Sequence, residues 1–420
     1  MPGARGDVRL TAAAAYSAFV MIGISAGVGG VLLPAQMSDY GVDRSTIGLT
    51  FFAFSAGFML AGSSTGALAH RYGSRSTLAA GTGVFALCAF YLTTRPAFAG
   101  FVAAQVLLGY GIGVLESLLN AYLAALPHAA RRVNRLHAFF GVGALLGPLL
   151  AAWMLRSWSW TSVFLVIGVL DLPLLAAFLL VFPRQRRDPS PELPDPGLPA
   201  APDPQPKRRG LLSATVREPA VLLGALFLAV YVGLEIGLGN WGFSFLVDGR
   251  HQSQLLAGYA ISGYWLGLTA GRFVISPTAS RLGLTDIAMT FSCLAGIIAA
   301  GGLIWLVSAP IADGAGFAVL GFFLGPLFPT TMAITPHLTA RRQVPTAIGV
   351  MNGVSVIGGS ALPWLAGTIA QSAGISTLLP FSLVLAGLLL LIWWRLARRI
   401  PELVPQDAPD EPAGEMTSYV

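Results

Sequence analysis

The stretch Phe98–Leu126, FAGFVAAQVLLGYGIGVLESLLNAYLAAL, is long and apolar enough to cross a bilayer as one helix, yet it contains a carboxylate. Glu116 is the only formally charged side chain between Arg95 and Arg131. A membrane-spanning helix needs about 20 apolar residues. A charge at that depth costs about 2.5–3.5 kcal/mol on insertion scales, and such residues face a cavity or a partner. The stretch thus predicts both a membrane helix and something for Glu116 to do.

The rest of the chain repeats the pattern. Of 420 residues, 55% are hydrophobic, only 10% are charged and 50 are glycine. Soluble domains carry about 25% charged residues. Twelve apolar segments are expected to cross, at 11–34, 46–69, 76–94, 98–126, 136–155, 160–182, 218–240, 254–276, 285–307, 311–335, 344–369 and 375–398. In hydrocarbon every backbone group must be satisfied within the structure, so contiguous apolar runs of this length become helices. The expected class is an all-α integral membrane protein of twelve transmembrane helices. The first span follows Arg5 and Arg9, as a signal peptide would, but is expected to be retained. The net charge of +6 does not indicate nucleic acid, because the basic residues are scattered among short loops.

Orientation follows from those basic residues. Arg44, Arg95, Arg156 and Arg250 fall on one side, Arg272 lies near the end of a span, and the rest of the 25 fall on the other side. Positive charge marks cytoplasmic loops, so both termini are expected in the cytoplasm and the membrane is expected to be the plasma (inner) membrane. Cys88 and Cys293 lie mid-span in different halves, and neither a disulfide nor a metal site is expected of them.

The loop around PRQRRDPSPELPDPGLPAAPDPQPKRRG, Pro183–Gly210, is rich in Pro, Asp, Arg and Ala and reads as a cytoplasmic linker. It divides the chain into an N-terminal six-helix bundle (1–182), the linker (183–213), a C-terminal six-helix bundle (214–399) and a cytoplasmic tail (400–420). The halves are alike at an offset of about 212 residues. LGYGIG at Leu108–Gly113 lies over LGFFLG at Leu320–Gly325, GVGALLG at Gly141–Gly147 over GVSVIGG at Gly353–Gly359, and Gly27 and Gly30 over Gly239 and Gly242. Two parallel repeats around a central cavity are the physical reading. Glu116 falls over Phe328 and Asn120 over Met332, so the polar pair belongs to one half only.

GALAHRYGSRSTL, Gly66–Leu78, resembles the loop signature of the major facilitator superfamily, GxLaDRxGRR. Gly66, Leu68, Arg71, Gly73 and Arg75 match, His70 stands where the family has Asp, and SRLG at Ser280–Gly283 is a fainter echo. A narrower resemblance, carried by GVLESLLNAYL, NRLHAFFGVGALLGP, YVGLEIGLGNW and LGPLFPTTMA, is to the fucose–proton symporters. It implies proton coupling at the fourth-helix acid, here Glu116. The family's first-helix acid has no counterpart, since Gly29 and Gly30 stand in its place.

The candidate residues follow. Glu116 and Glu235 are expected to couple protons. Asn120, one turn from Glu116, is expected to bond its carboxyl or the substrate. Tyr110, His137, Tyr231, Asn240, Trp241 and Asn352 complete the expected substrate site, with Trp241 equally suited to an outer aromatic belt. Gly66, His70, Arg71, Gly73 and Arg75 form a gating loop between two helices. Arg272 is expected to snorkel or pair at the inner gate, and Asp171, near Pro173, to be structural. No Walker-type loop or nucleophile elbow is present, which argues against a pump or an enzyme. No cofactor is expected. The partners expected are a small solute, protons and lipid, for a monomer.

Proton-coupled uptake of a small neutral solute such as a sugar is the leading function. GALLGPLLAA, Gly143–Ala152, partly matches the antiporter signature GxxxGPxxGG and supports the alternative, proton-driven efflux of a hydrophobic compound. A sensor that has lost transport is the third reading.

Overall fold

A computed structural model of the chain describes residues 3–183 and 208–400. The described residues are almost wholly helical. The first half contains α1 (Gly3–Tyr40), the short α2 (Arg44–Ile47), α3 (Leu49–Thr93), α4 (Phe98–Ala124), α5 (Ala129–Met154) and α6 (Trp160–Val181). The second contains α7 (Arg208–Val216), α8 (Pro219–Ser244), α9 (Gln254–Arg281), α10 (Asp286–Leu306), α11 (Pro310–Leu324), α12 (Leu327–Ala333), α13 (Val344–Ala373) and α14 (Leu378–Ala397).

Ten helices among the described residues are long and apolar enough to cross a membrane. Twelve crossings result because α3 supplies two and the more polar α9 supplies another. At 45 residues, α3 would extend about 68 Å if straight, twice a bilayer core of about 30 Å. It folds back at Gly73, whose φ of 85° and ψ of 156° break the helix. Both limbs therefore flank the same part of α4: Phe54, Phe58 and Ala61 meet Gly109 and Gly113, while Gly81 and Phe85 meet Gly111. A positive φ there suits glycine, because a Cβ would meet its own backbone.

The structure refines three of the expected segments. The tenth span is present as one membrane-length segment, Pro310–Ala333, with a break between α11 and α12 at Gly325 and Pro326, where proline withholds an N–H from the helix. The eighth runs on to Arg281 instead of ending near 276. The end of the expected linker, to 213, overlaps the nine-residue α7; its residues 184–207, and the tail from 401, lie outside the described residues.

The repeat is visible as packing. Gly109 and Gly113 of α4 lie on the first limb of α3, and Gly321 and Gly325 lie on Tyr264 and Leu268 of α9 in the same way. Gly147 of α5 meets Ile24 and Val28 of α1, and Gly359 of α13 meets Val232 and Ile236 of α8. Glycine at these points lets backbones approach to the distance that membrane helices use in place of hydrophobic drive. The result is two six-helix bundles of like construction.

The bundles join along α1 with α8, α3 with α13, and α5 with α9. Gly30 meets Gly239 and Asn240, Gly48 and Phe52 meet Trp364, and Gly258 meets Ala152. Arg44 pairs with Asp248 at 3.0 Å, and its amide donates to Gln371 Oε1 at 3.2 Å. These contacts run from mid-membrane to the end that carries the loop between α1 and α2. The bonds that join the bundles therefore lie at the loop end, which is the closed end; the splayed end, near the termini, is the one where none of these bonds lies.

Candidate functional site

The polar side chains expected in the cavity fall into two groups. In the C-terminal bundle, Glu235 of α8 and Arg272 of α9 form an ion pair, Nη2 to Oε1, at 3.3 Å. Their side chains are 13% and 25% exposed. Of the two expectations for Arg272, snorkelling or pairing, the structure shows a pairing. The helix continues for more than two turns beyond it, so it lies within the span and pairs with Glu235 instead of snorkelling. The Tyr264 hydroxyl donates to the Glu235 carbonyl at 2.8 Å and fixes α8 against α9. Tyr231, one turn from Glu235, is fully buried with its hydroxyl beside the Glu235 carboxylate and the Arg272 guanidinium. Among the described residues, Arg272 Nε and Trp265 Nε1 of α9 are without acceptors. Two N–H groups of α9 therefore await oxygen.

The N-terminal bundle supplies the other group. Glu116 of α4 is half-buried. Arg272 acts electrostatically on it and on His137 of α5, so all three groups share one region across the bundle boundary. His137 sits edge-on to Phe19 at 5.6 Å. The Asn120 amide donates to the Glu116 backbone carbonyl at 2.9 Å, not to its carboxyl. The Asn120 side-chain carbonyl is left to accept. Asn240 bonds back to Ile236 in the same manner, at 3.0 Å, and faces Gly29 and Gly30. The absence of a first-helix acid at Gly29 and Gly30 is thus matched by an amide from the opposite bundle.

Other expected residues do not join this region. Trp241 is fully buried: its Nε1 donates to the Pro363 carbonyl at 2.8 Å, and its ring lies against Gly367 and Phe51. It packs between α8 and α13 of its own bundle, with its ring edge-on to Phe51 of the other. Tyr110 makes a 3.2 Å hydroxyl contact with Ser64, between α4 and α3. Asn352 is exposed on the splayed half of α13. Gly66, His70, Arg71 and Arg75 lie around the Gly73 reversal, with Arg71 over the Tyr72 ring at 5.2 Å. Asp171 is fully buried in α6, and neither carboxyl oxygen has a hydrogen-bond partner among the described residues.

The sequence reading missed the closed end altogether. Arg44, Asp248, Ser45, Thr368 and Gln371 bridge the bundles there, with Thr368 donating to Ser45 at 3.2 Å. Beside them a cleft is lined by Asp39, Arg95, Trp158, Trp160 and Asp248. Asp39 holds Arg95 at 3.3 Å and accepts from Trp160 Nε1 at 2.8 Å. Only the positive charge of Arg44 in a turn hinted at a contact.

Comparison with known proteins agrees with this architecture. The family description Major Facilitator Superfamily matches residues 15–317 and 314–417. Bypass of stop codon protein 6 of Saccharomyces cerevisiae is 25% identical over 417 residues, covering 92% of this chain and 82% of that protein. A glucose/galactose transporter of Brucella abortus is 23% identical, over 85% of this chain and 87% of its own. Among solved structures, a bacterial homologue of the human lysosomal transporter Spinster, inward-facing and occupied, superposes with a TM-score of 0.75 at 13% identity. That match covers 93% of this chain and 97% of the other. The fucose–proton symporter of E. coli superposes less well, at 0.59 and 15% identity over 92% and 98%. The narrower resemblance to fucose symporters is therefore not singled out by the fold. The chain belongs to the major facilitator superfamily, and so to the secondary transporters that work by alternating access, not to the enzymes.

Proposed function

We propose that this carrier takes up a small neutral solute, a sugar being the leading candidate, together with a proton. It sits in the plasma (inner) membrane as a monomer with both termini in the cytoplasm, so the splayed end is the cytoplasmic one. The observation that carries the reading is the charge balance of the central region. Glu235 is matched by Arg272 at 3.3 Å, which leaves Glu116 as the unmatched carboxylate. One proton on Glu116 brings the region to neutrality. A neutral solute then crosses without adding a charge to a cavity that must close around it.

The donor-rich wall of Trp265 and Arg272 suits a ligand that offers oxygen acceptors, and Asn120, His137 and Asn240 add further polar groups on the facing surfaces. The Brucella relative, a glucose/galactose transporter, points to hexoses. Proton-driven efflux of a hydrophobic cation is the second reading. It is favoured by Glu116 itself, whose ionised form would attract a cation, and by the partial GxxxGPxxGG match.

The test is uptake into proteoliposomes of a panel of neutral sugars and cationic dyes, with and without a proton gradient, beside counterflow at equal pH. A gradient of one pH unit supports about tenfold accumulation with one coupled proton. Glu116→Gln should retain counterflow and lose that accumulation. Gradient-driven accumulation surviving in Glu116→Gln refutes the assignment. Dyes, not sugars, moving against the gradient select the second reading.

A further inference from the structure

Taking the loop end as the outer one and sugars as the solute class, as proposed above, we infer that the cleft at that end is a second binding site, for a neutral, hydroxyl-bearing solute of sugar size, and that its occupant holds this end closed.

The cleft follows from the way α1 and α8 part beyond their closest approach. At mid-membrane Gly30 lies on the backbone of Gly239 and Asn240, so close that a Cβ there would meet the Gly239 carbonyl oxygen. From this pinch toward the loop end, α1 lines the cleft with Val31, Pro34, Ala35 and Ser38, the i, i+3, i+4, i+7 spacing of one helix face. Phe243 of α8, with Val247 and Asp248 just after it, lines the other side. The space between them is about 560 Å³, and small-molecule sites run from about 300 to 1,000 Å³. Val31 and Phe243 are fully buried, while Ser38, Asp39 and Gln254 are exposed, so an apolar floor lies under a polar rim.

The lining favours a neutral ligand. Asp39 pairs with Arg95 at 3.3 Å and Asp248 with Arg44 at 3.0 Å, so each acid already has its base. The pairs still leave hydrogen-bonding capacity. Among the described residues, Asp39 accepts from Arg95 and Trp160 through Oδ2 alone, and Asp248 accepts from Arg44 through Oδ2 alone. Each keeps Oδ1 for a hydroxyl donor. Arg95 uses Nε in its pair and keeps its terminal nitrogens as donors, and Gln254 brings an amide at the start of α9. Trp158 adds an aromatic wall. It is half-exposed, and an edge-on contact with Trp153 at 5.5 Å sets its plane. Hydroxyl-binding groups beside an aromatic face suit a sugar, which is apolar on its faces and polar at its edges.

The walls belong to different bundles. Asp39, Arg95 and Trp158 stand on the N-terminal one, and Phe243, Asp248 and Gln254 on the C-terminal one. When this end opens the walls separate, and a ligand that spans them loses the contacts of one side. The occupant therefore binds the closed form better and shifts the balance toward it. Outside solute at high concentration thus slows the opening that its own uptake requires.

The probe is D-glucose, added outside reconstituted protein. Asn240 lies at the pinch, so Asn240→Cys places a thiol that a membrane-impermeant maleimide reaches from outside only when the loop end opens; the native Cys88 and Cys293 are buried. Glucose at about ten times its half-saturating concentration should slow labelling about tenfold. Trp158→Ala and Gln254→Ala, one from each wall, should each raise the glucose concentration needed by about two- to tenfold. Choline, a small cation, should leave the rate unchanged. Labelling that glucose does not slow overturns the site, and so does slowing that neither variant alters, because protection then comes from the central region. Slowing by choline in place of glucose overturns the neutral ligand, and faster labelling overturns the brace. Should Trp158→Ala fail to insert, Gln254→Ala decides by itself. Failure of the underlying reading looks different. If sugars are not carried, glucose protects the thiol as described but does not accumulate in proteoliposomes. If the loop end faced inward, the reagent would enter by the splayed end and label rapidly with or without glucose.

Discussion

The two bundles are packed alike and charged differently. Gly109 and Gly321 make equivalent contacts, as do Gly113 and Gly325, while Gly147 rests on the backbone of α1 and Gly359 on side chains of α8. At the same offset Glu116 lies over Phe328, Glu235 over Gly23 and Arg272 over Leu60. Phe328 packs against Tyr231 with ring centroids 6.3 Å apart, filling with carbon the place that its counterpart fills with a carboxylate. The difference separates two demands on one fold. Close helix approach is required of both halves, because each must hold together as a rigid body. Charge differs between the halves: the Glu235–Arg272 pair lies within the C-terminal bundle, and Glu116 stands in the N-terminal one.

The strongest way to break this comparison is to disturb the shared part. A Cβ at Gly109 would meet the backbone of Phe54, and one at Gly321 the backbone of Tyr264. Backbone does not step aside as a flexible side chain does. Gly109→Val and Gly321→Val should each cost about 3 kcal/mol or prevent assembly. Alanine at Gly62 or Gly349, where nothing lies within 4 Å, should be tolerated. Thermal unfolding in detergent measures this. Damage in one half only would mean that the repeat is a likeness of sequence without equal mechanical weight.

A smaller effect is expected at the closed end. The Arg44–Asp248 pair joins the bundles at 3.0 Å with side chains 22% and 37% exposed. A pair so open to water is worth about 0.2–1 kcal/mol. Asp248→Asn should therefore change the ratio of closed to open molecules at that end by about 1.4- to fivefold. Spin-label distances across the ends of α2 and α8 would report it. The charge-reversed pair, Arg44→Asp with Asp248→Arg, should restore the ratio, and salt should weaken the wild-type contact. A shift as large as that of the central charges would show that the latch, and not the cavity, sets the resting state.

Much of this was legible in the sequence, for identifiable reasons. Twelve crossings follow from long apolar runs, and Glu116 from its isolation within one of them. The Gly73 reversal was signalled by the loop signature, although nothing there showed that helix would run right up to the glycine on both sides. Other features were not legible. Glu235 and Arg272 are 37 residues apart on different helices, and Arg272 looked like a helix end because the polar residues after it hid the last turn of α9. Arg44 and Asp248 looked like ordinary loop charges, since nothing local shows that the loops meet. Trp241 had the composition of a belt residue, and only packing against Gly367 shows that it lies between α8 and α13. The break at Pro326 was present in the letters, but a proline within an apolar run can kink a helix or end it, and neighbours decide which.

The smallest effect is expected next to the latch, at Asp43. Its carboxylate accepts from the Thr46 backbone N–H at 2.8 Å and caps α2, the short helix that begins with Arg44. That bond, with help from the Thr46 side chain, holds the exposed carboxyl below its usual range. Because its value in the folded protein is depressed, the cap is complete above the ordinary carboxylate range and is lost as pH falls through the lowered value. The helix should stay capped at any pH where the carrier works, and loosen only in stronger acid. Asp43→Asn keeps an oxygen acceptor, so it should hold the Thr46 amide against hydrogen exchange and abolish the acid dependence. Asp43→Ala should lose protection at every pH and loosen Arg44, with a smaller change in the latch than Asp248→Asn produces. If Asp43→Ala opened the end as far as Asp248→Asn does, the cap would have to be counted as part of the gate, and the division between shared scaffold and one-sided charge would not hold at this end of the molecule.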